Sequence, residues 1–313
     1  MKFAIVSDIH GNLPALDAVI KDAKSRDVDQ FIFVGDYCLS NPYPNECIER
    51  VRNLEHKYVI RGNEEQYLEN LIGKDQSRWT DGQMQISYWC FRNISTENLD
   101  YLLARPKQLE FVCNDVTIYV AHSSEAFVGH SEQKEWSTAG VAEKYGERMV
   151  SHANFCADIR RDLDKDSQFL ERLKMLDSGV YIFGHTHIQW SYQSADGNKM
   201  LINPGSCGLP LDCTDEGAPY TILEISGGKI LILEEYRVPY DKKNYLEAFL
   251  NSDQFAKANV WSKVILQELQ TNREHLTFFL RFVENYAKEI GDEQRPFSVS
   301  TWEQAYALWQ KRG

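Results

Sequence analysis

Residues 3–12 of this chain have the sequence FAIVSDIHGN. An apolar run at positions 3–6 leads directly into Asp8 and His10. A short run of continuous hydrophobicity is typical of a buried strand that is covered on both faces of its sheet. Asp8 and His10 are two residues apart, so on extended backbone their side chains point the same way. The segment therefore predicts a buried strand that carries an oxygen and a nitrogen ligand at its carboxyl end.

The same pattern recurs further along the chain. Each later run is also short, rich in β-branched or aromatic residues, and followed by polar residues. The runs and their polar followers are 31–34 with Asp36, 58–60 with Asn63, 116–121 with His122, and 180–183 with His185 and His187. Helical patterns at 13–24 and 45–54 separate the early runs, and this alternation predicts an α/β sandwich. Further strands are predicted at 199–203, 220–225 and 229–236, with the last two joined as a hairpin by Gly227 and Gly228.

The length of 313 residues indicates one large core with an appendage. We expect a main domain over 1–240 that contains a polar insertion at about 125–177, with a helix predicted from about 154 to 176. Apolar residues recur at helical spacing from 241 onward, which predicts a helical appendage over 241–313. The appendage either packs on the core alone, or caps the substrate entrance or makes a dimer contact. The oligomeric state stays open.

Composition excludes several classes of protein. The formal net charge is -12, so a broad basic face for nucleic acid is not expected. The cysteine count is odd, at 7, and no two cysteines have C-x-x-C spacing, which favours reduced thiols in a cytoplasmic protein. The apolar run before Ser7 is too short for a signal peptide, and no apolar run reaches the length of about 18 residues that a membrane span needs.

Candidate metal ligands follow five separate predicted strands, and open α/β sheets place ligands at the carboxyl ends of their strands. The candidates are Asp8, His10, Asp36, Asn63, His122, His185 and His187. Each taken singly is compatible with a turn, a helix cap or a buried histidine, and their conjunction favours a metal site. Histidine with carboxylate and amide suits borderline first-row cations. The set is too large for one tetrahedral ion, and it suffices for two ions that share a carboxylate and act on phosphorus.

Five blocks of this sequence resemble those of the calcineurin-like metallophosphoesterases. They are Ser7 to Asn12, Gly35-Asp36, Gly62-Asn63, His122, and Gly184-His185-Thr186-His187. Residues 203–206 and 41–46 are similar to the bacterial branch of this family that contains small phosphodiesterases. The resemblance covers residues 1–240 and leaves out the C-terminal helices.

The resemblance implies a four-layer α/β/β/α sandwich with two divalent transition-metal ions, Mn, Fe, Zn or Ni. Asp8, His10 and His187 would hold the first ion. Asn63, His122 and His185 would hold the second, and Asp36 would bridge both. The implied reaction is hydrolysis of a phosphate mono- or diester by metal-bound hydroxide. The expected substrate is a small phosphate ester or a nucleotide, with no membrane partner and no nucleic acid.

The expected catalytic residues are Asp36, Asn63, Glu64 and His122. The backbone of Gly11 and Asn12, together with Asn63, is expected to bind substrate, because a helix begins there and its amides can receive a phosphate oxygen. Many relatives carry histidine after the asparagine, where this chain has Glu64. Two nearby cations favour the ionised carboxylate, so we expect Glu64 to be an inefficient acid and good leaving groups to be preferred.

Two other functions use the same ligands. A metal-dependent nuclease would need a basic groove, which the acidic balance disfavours, and a non-catalytic scaffold would be favoured only if ligands were missing. His130 and His152 lie in the insertion, and we expect solvated loop histidines there rather than residues at the mouth of the site. Substrate specificity is expected to depend on the insertion, on the loop at 203–215 and on the helical tail.

Overall fold

The computed structural model describes residues 1–129, 137–215 and 217–311. His130 lies outside the described residues. The strands are β1 (Lys2–Val6), β2 (Gln30–Phe33), β3 (Lys57–Val59), β4 (Gln108–Cys113), β5 (Val116–Ala121), β6 (Gly179–Ile182), β7 (Gln189–Gln193), β8 (Lys199–Pro204), β9 (Ala218–Ser226) and β10 (Lys229–Val238). The helices of the main body are α1 (Leu13–Ser25), α2 (Pro44–Arg52), α3 (Asn63–Glu69), α4 (Gln85–Asn93), α5 (Thr96–Leu103), α6 (Thr138–Tyr145), α7 (His152–Leu163) and α8 (Ser167–Met175).

The strands form two mixed five-stranded sheets, with the orders β10-β9-β1-β2-β3 and β4-β5-β6-β8-β7. The central strands β1, β2 and β3 run parallel, as do β5, β6 and β8, while β9, β10, β4 and β7 pair antiparallel. All of these parallel strands except β8 were predicted to carry ligands at their carboxyl ends. The antiparallel strands lie outside these parallel strands in each sheet, so the carboxyl ends of the parallel strands still share one edge.

Alternation of side chains along β1 shows how the layers form. Phe3 and Ile5 face the second sheet and pack with Ile118 and Val180. Ala4 and Val6 point the other way, toward the helices α1 and α2, in a separate apolar cluster. The second sheet in turn packs its outer face against α6, α7 and α8. Successive strand residues point to opposite faces of a sheet, so one strand serves two cores and the result is the predicted four-layer α/β/β/α sandwich.

Several details of the sequence prediction needed correction. The single helix expected from about 154 to 176 is two helices, because Asp166 caps α8 by accepting hydrogen bonds from the backbone of Gln168 and Phe169. The strands β4 and β7 were not predicted. The burial of β4 alternates residue by residue, as in a half-exposed strand, so its apolar residues are interrupted by polar ones.

A helical region follows β10, as predicted. Its helices are α9 (Lys242–Leu250), α10 (Asp253–Ala258), α11 (Val260–Thr271), α12 (Leu276–Ile290) and α13 (Val299–Trp309). Part of it has its own core, in which Phe279 and Trp302 are almost fully buried. Another part packs Tyr245 and Phe249 against Leu209 and Leu211 of the main body. Among the described residues, no helix combines the length and the apolar character that a bilayer crossing requires.

Candidate metal centre

The predicted ligands meet at one edge of the sandwich, where the carboxyl ends of β1, β2, β3, β5 and β6 converge. Each follows its strand by one to five positions, and Asn63 begins α3. Most of them are almost completely buried: Asp8 is 0%, Asp36 2%, His10 3% and His122 7% exposed. Buried polar side chains in such number need partners, because a buried polar group without a partner destabilises the fold.

The backbone at this edge is strained at five of the seven candidates. Asp8, His10, Asp36, His185 and His187 have φ values of 52°, 52°, 55°, 70° and 55°. The left-handed region costs an ordinary residue about 1 kcal/mol or more, and such residues cluster at functional sites. The surrounding chain therefore holds these side chains in a convergent arrangement against a local cost.

Two glycines allow this close approach. A Cβ atom at Gly62 would lie 2.2 Å from Asp36 Oδ1, and one at Gly184 would lie 2.4 Å from Asp8 Oδ2. Both distances are far below van der Waals contact, so no larger residue fits without displacing a carboxylate. The glycines of the Gly-Asn and Gly-His segments are thus required by packing around Asp36 and Asp8.

One group of candidates comprises Asp8, His10 and His187. His10 Nε2 lies 2.8 Å from His187 Nε2, and Asp8 Oδ1 lies 3.8 Å and 3.5 Å from these two nitrogens. Asp8 Oδ2 accepts a hydrogen bond from the backbone of His185 at 3.0 Å. Asp8 Oδ1 is buried and accepts no hydrogen bond. Three ligand atoms thus converge on one point, and one of them is an unsatisfied oxygen.

The second group comprises Asp36, His122, His185 and Asn63. His122 Nε2 lies 3.2 Å from Asp36 Oδ2 and 3.0 Å from Asn63 Oδ1. Ligand atoms of Asp36, His122 and His185 all fall within 4.8 Å of one another. The two groups are neighbours, since His122 Nε2 is also 4.0 Å from Asp8 Oδ1. The structure therefore brings together all seven predicted ligands.

The tautomers of two histidines test whether a cation fits. His187 Nδ1 lies 2.9 Å from the Leu209 carbonyl, and His122 Nδ1 lies 2.7 Å from the Val34 carbonyl. A carbonyl only accepts, so each Nδ1 carries a hydrogen, and each Nε2 must either carry a second proton or face the neighbouring acceptors with its lone pair. A cation bound between each Nε2 and its neighbouring acceptors would remove the repulsion between their lone pairs. Imidazoles whose Nδ1 donates to a backbone carbonyl are typical metal ligands. The residues fit a metal site.

Charge supports the same conclusion. Burial raises the pKa of Asp8, but His187, His122 and His10 outweigh that effect and lower it. Burial also raises the pKa of Asp36, but the charge and hydrogen bond of His122, together with the charge of His10, lower it overall. Burial lowers the pKa of His122, but Asp36 and Asp8 raise it to about 10, so the metal-free site holds a proton there. A metal ion would replace that proton.

Glu64 lies beside the first group. Its Oε1 is 3.0 Å from His10 Nδ1, and its Oε2 is buried without a hydrogen bond. Burial, followed by the charge of Asp36, raises the pKa of Glu64 well above its ordinary value in the metal-free protein. Bound cations would oppose that shift. The Glu64 carboxylate thus lies on the Nδ1 side of the His10 ring, and the Nε2 atom of that ring is the one near His187.

Glu65 was not predicted as a site residue. It is fully buried, and its two oxygens accept hydrogen bonds from the backbone of Asp36 at 3.1 Å, Tyr37 at 3.0 Å and Gly62 at 2.7 Å. It thereby ties the segment after β2 to the start of α3. The available signal was its place three residues after Gly62, since a glutamate at that position can accept a hydrogen bond from the N-cap amide of a helix.

The structure does not support the predicted phosphate contact at Gly11 and Asn12. Their backbone amides already donate to Tyr37 and Ile9 carbonyls, each at 3.0 Å. The Asn12 side chain is fully buried, caps α1 through Ala15 and donates to the Gly208 carbonyl. These residues shape the loop after β1 and present no free backbone donor to a ligand.

The end of β8 and the loop that follows it make hydrogen bonds to the segments that carry the candidate ligands. Asn203 donates to the Gly184 carbonyl at 3.1 Å and to Thr186 Oγ1 at 2.9 Å. Ser206 Oγ donates to the Asp8 carbonyl at 2.7 Å.

His152 lies away from the candidate metal centre, because its Nε2 lies 2.9 Å from Glu235 Oε2. The expectation of a solvated histidine there was wrong.

Comparison with known proteins identifies the family. Residues 1–228 match the calcineurin-like phosphoesterase superfamily domain, so the chain belongs to that family. An uncharacterized protein of Methanocaldococcus jannaschii is 28% identical over 265 residues, which cover 80% of this chain and 92% of that protein.

Two solved structures share the fold. A metallophosphoesterase from Sphaerobacter thermophilus has a TM-score of 0.58 at 22% identity, covering 87% of this chain and 100% of the other. A hypothetical protein from Pyrococcus horikoshii has a TM-score of 0.58 at 18% identity, covering 84% and 97%. The protein is accordingly a metal-dependent phosphoesterase by family, and at these identities the two structures establish the fold alone.

Proposed function

We propose that this protein hydrolyses a phosphate mono- or diester with two divalent transition-metal ions, Mn, Fe, Zn or Ni. The observation that carries the proposal is the acceptor-rich cluster in which His122 Nε2 faces both Asp36 Oδ2 and Asn63 Oδ1. A pair of bound ions supplies a nucleophile at neutral pH and neutralises phosphate charge. The protein's own contribution is to hold the ligands and the ester in place.

The ligand groups suggest how the ions are shared. Asp8, His10 and His187 form one group, and Asn63, His122 and His185 form the other. Asp36 lies between them, since it contacts His122 and belongs to a cluster with His10 and Glu64. Asp36 would therefore be the ligand that the two ions share. Its Oδ1 accepts from the backbone of Glu64 at 3.0 Å, which fixes the carboxylate orientation.

We assign Glu64 a positioning role. Its Oε1 lies 3.0 Å from His10 Nδ1 without forming a hydrogen bond in the metal-free structure, at the separation of the carboxylate–histidine pairs that orient metal-binding imidazoles. A carboxylate so engaged is a poor donor of a proton to a leaving alcohol. Esters with good leaving groups, such as p-nitrophenyl esters, are therefore the appropriate first substrates.

The test combines metal analysis with hydrolysis. Protein purified without chelator is analysed for its elements and assayed on p-nitrophenyl phosphate and bis-p-nitrophenyl phosphate. We expect about two ions per chain, and in Asp36→Asn a loss of metal with activity reduced by at least about 10²-fold. Asp100→Asn is the matched control, because Asp100 is exposed on α5. Absence of metal even after reconstitution contradicts the proposal, and metal without hydrolysis of either ester favours a scaffold.

A further inference from the structure

A cavity of about 440 Å³ opens beside the candidate metal centre. Its floor is formed by ligand residues, including His10, Asp36, Asn63 and His187. Its volume is within the range of sites that bind small organic ligands. A phosphate held at the ligands would leave the rest of the ester in this space.

The wall opposite the ligands comes from parts of the chain that the sequence analysis associated with specificity. Thr138 comes from the insertion, Leu211 from the loop after β8, and Trp261, Ile265 and Leu276 from the C-terminal helices α11 and α12. The last three lie outside the residues that match the family domain. The C-terminal region therefore completes the cavity as well as packing on the core.

The wall is largely apolar. Apolar side chains line it from five separate segments, namely Leu39, Met84 with Ile86, Leu209 with Leu211, Trp261 with Ile265, and Leu276. Trp261 and Leu276 are only partly buried, so they keep surface available for a ligand. Such a surface favours an apolar group by about 25 cal/mol for each Å² that is covered.

The ionisable residues that the C-terminal region adds to the wall are both carboxylic acids. Glu268 and Glu274 line the cavity together with Glu64, and no lysine or arginine is present among its described lining residues. The carboxyl groups of the pair have their own partners: Glu268 Oε1 accepts from the His275 and Leu276 amides, and Glu274 Oε1 accepts from the Thr277 amide. A second anionic group on a ligand would meet these carboxyl groups and find no cation.

We propose that this cavity binds the alcohol portion of the phosphate ester, and that the preferred alcohol is apolar and carries no further anionic group. The inference rests on the proposed phosphoesterase function and narrows its substrate class. It disfavours polyphosphate chains and other multiply charged alcohols in this cavity. The apolar surface of α11 and α12 is the specificity element.

Binding of phosphonates tests the proposal without turnover, because their carbon–phosphorus bond is not an ester. Methylphosphonate, phenylphosphonate and 4-carboxyphenylphosphonate are titrated by calorimetry into the metal-loaded protein. We expect phenylphosphonate to bind at least about tenfold more tightly than methylphosphonate. 4-Carboxyphenylphosphonate should bind about tenfold more weakly than phenylphosphonate, because its added carboxylate meets the acidic wall.

Leu276→Gln should lower the phenyl-to-methyl affinity ratio by about threefold or more, because it replaces apolar wall by an amide. Ile290→Gln is the matched control, since Ile290 lies on the same helix, is 50% exposed and does not line the cavity. Met84→Gln provides a second wall variant on another element if Leu276→Gln is unstable. Thermal unfolding of each variant verifies the fold.

Equal affinity for the methyl and phenyl probes, or an unchanged ratio in both wall variants, overturns the inference. Hydrolysis of bis-p-nitrophenyl phosphate is measured on the same samples. Hydrolysis without discrimination among the probes leaves the proposed function intact and removes the apolar preference. If metal-loaded protein neither hydrolyses the ester nor binds any phosphonate, both the proposed function and the apolar preference are contradicted.

Discussion

Two adjacent glutamates at the start of α3 have opposite surroundings. Glu64 faces the cavity and the ring of His10, whereas Glu65 points inward and accepts three backbone hydrogen bonds. A buried carboxylate with several amide donors is strongly held, because each bond to a charged group contributes more than a neutral one. Glu65 thus couples the loop that carries Asp36 to the helix that carries Asn63.

Replacement of Glu65 by glutamine should be far more damaging than its conservative appearance indicates. The new amide nitrogen would face backbone N–H groups that need an acceptor, so we expect the free energy of unfolding to fall by about 2–4 kcal/mol. Urea denaturation in the presence of chelator measures the change independently of metal binding.

Glu69→Gln is the control on the same helix. Glu69 pairs with Arg61 at 3.1 Å and is 38% exposed, so its loss should cost less than about 1 kcal/mol. Equal unfolding free energies for the two variants would contradict the role given to Glu65.

At the scale of elements, a buried cluster joins helix α7 to strand β10. His152 Nε2 and Cys156 Sγ lie 2.9 Å and 3.2 Å from Glu235 Oε2. Burial raises the pKa of Glu235. The hydrogen bond and charge of His152, with hydrogen bonds from Ser191 and Cys156, together outweigh burial and bring that pKa below its ordinary value. The cluster ties the outer helix layer to the edge strand of the first sheet.

This cluster should make stability depend on pH. The folded pKa of Glu235 is below 4.5, so the ionised form stabilises the fold above that pH, and the contribution is lost as pH falls through the folded pKa. We expect Glu235→Gln to lower the thermal midpoint at neutral pH, and the difference from wild type to shrink below pH 4.5.

Scanning calorimetry of metal-free protein at several pH values measures this difference. Glu234→Gln provides the control, because Glu234 is the exposed neighbour on the same strand. A difference that stays constant from neutral to acidic pH would show that the Glu235 carboxylate is not the stabilising species.

At the scale of the whole molecule, the C-terminal helices are integrated with the main body. Tyr245 Oη donates to Asn41 Oδ1 at 2.6 Å, and Trp89 Nε1 donates to Asp253 Oδ2 at 2.9 Å. Phe249 is fully buried. The boundary at residue 240 remains a prediction, and these contacts argue that the two parts form one cooperative unit.

A chain that ends at residue 240 should therefore not keep the native fold. Loss of Tyr245 and Phe249 alone removes buried aromatic contacts that are worth about 3–5 kcal/mol each, which approaches the whole stability of a typical domain. We expect the truncated protein to aggregate or to bind a hydrophobic dye, as measured by size-exclusion chromatography and fluorescence.

The control is a chain that ends at Gln310, directly after α13, and it should behave as the full protein does. A truncated chain that remained monomeric with an unchanged thermal midpoint would show that the C-terminal helices are an independent appendage.

The sequence by itself determined the parallel strands and the candidate ligands that follow five of them. Each apolar run and its polar ending is a local pattern, and parallel strands bring their carboxyl ends to one edge whatever lies between them. This is why Asp8 and Asp36, which follow neighbouring strands of one sheet, could be grouped from a single sequence. Position after a strand is enough to predict which edge a residue occupies.

Only the tertiary structure decided which polar groups are available to a ligand and what surrounds them. The amide of Gly11 donates to the Tyr37 carbonyl on a remote loop, and Glu65 binds a loop nearly thirty residues away in sequence. The cavity wall likewise joins Leu211 to Leu276. Hydrogen bonding and packing between remote segments depend on the folded path of the chain, and no local pattern of residue types encodes that path.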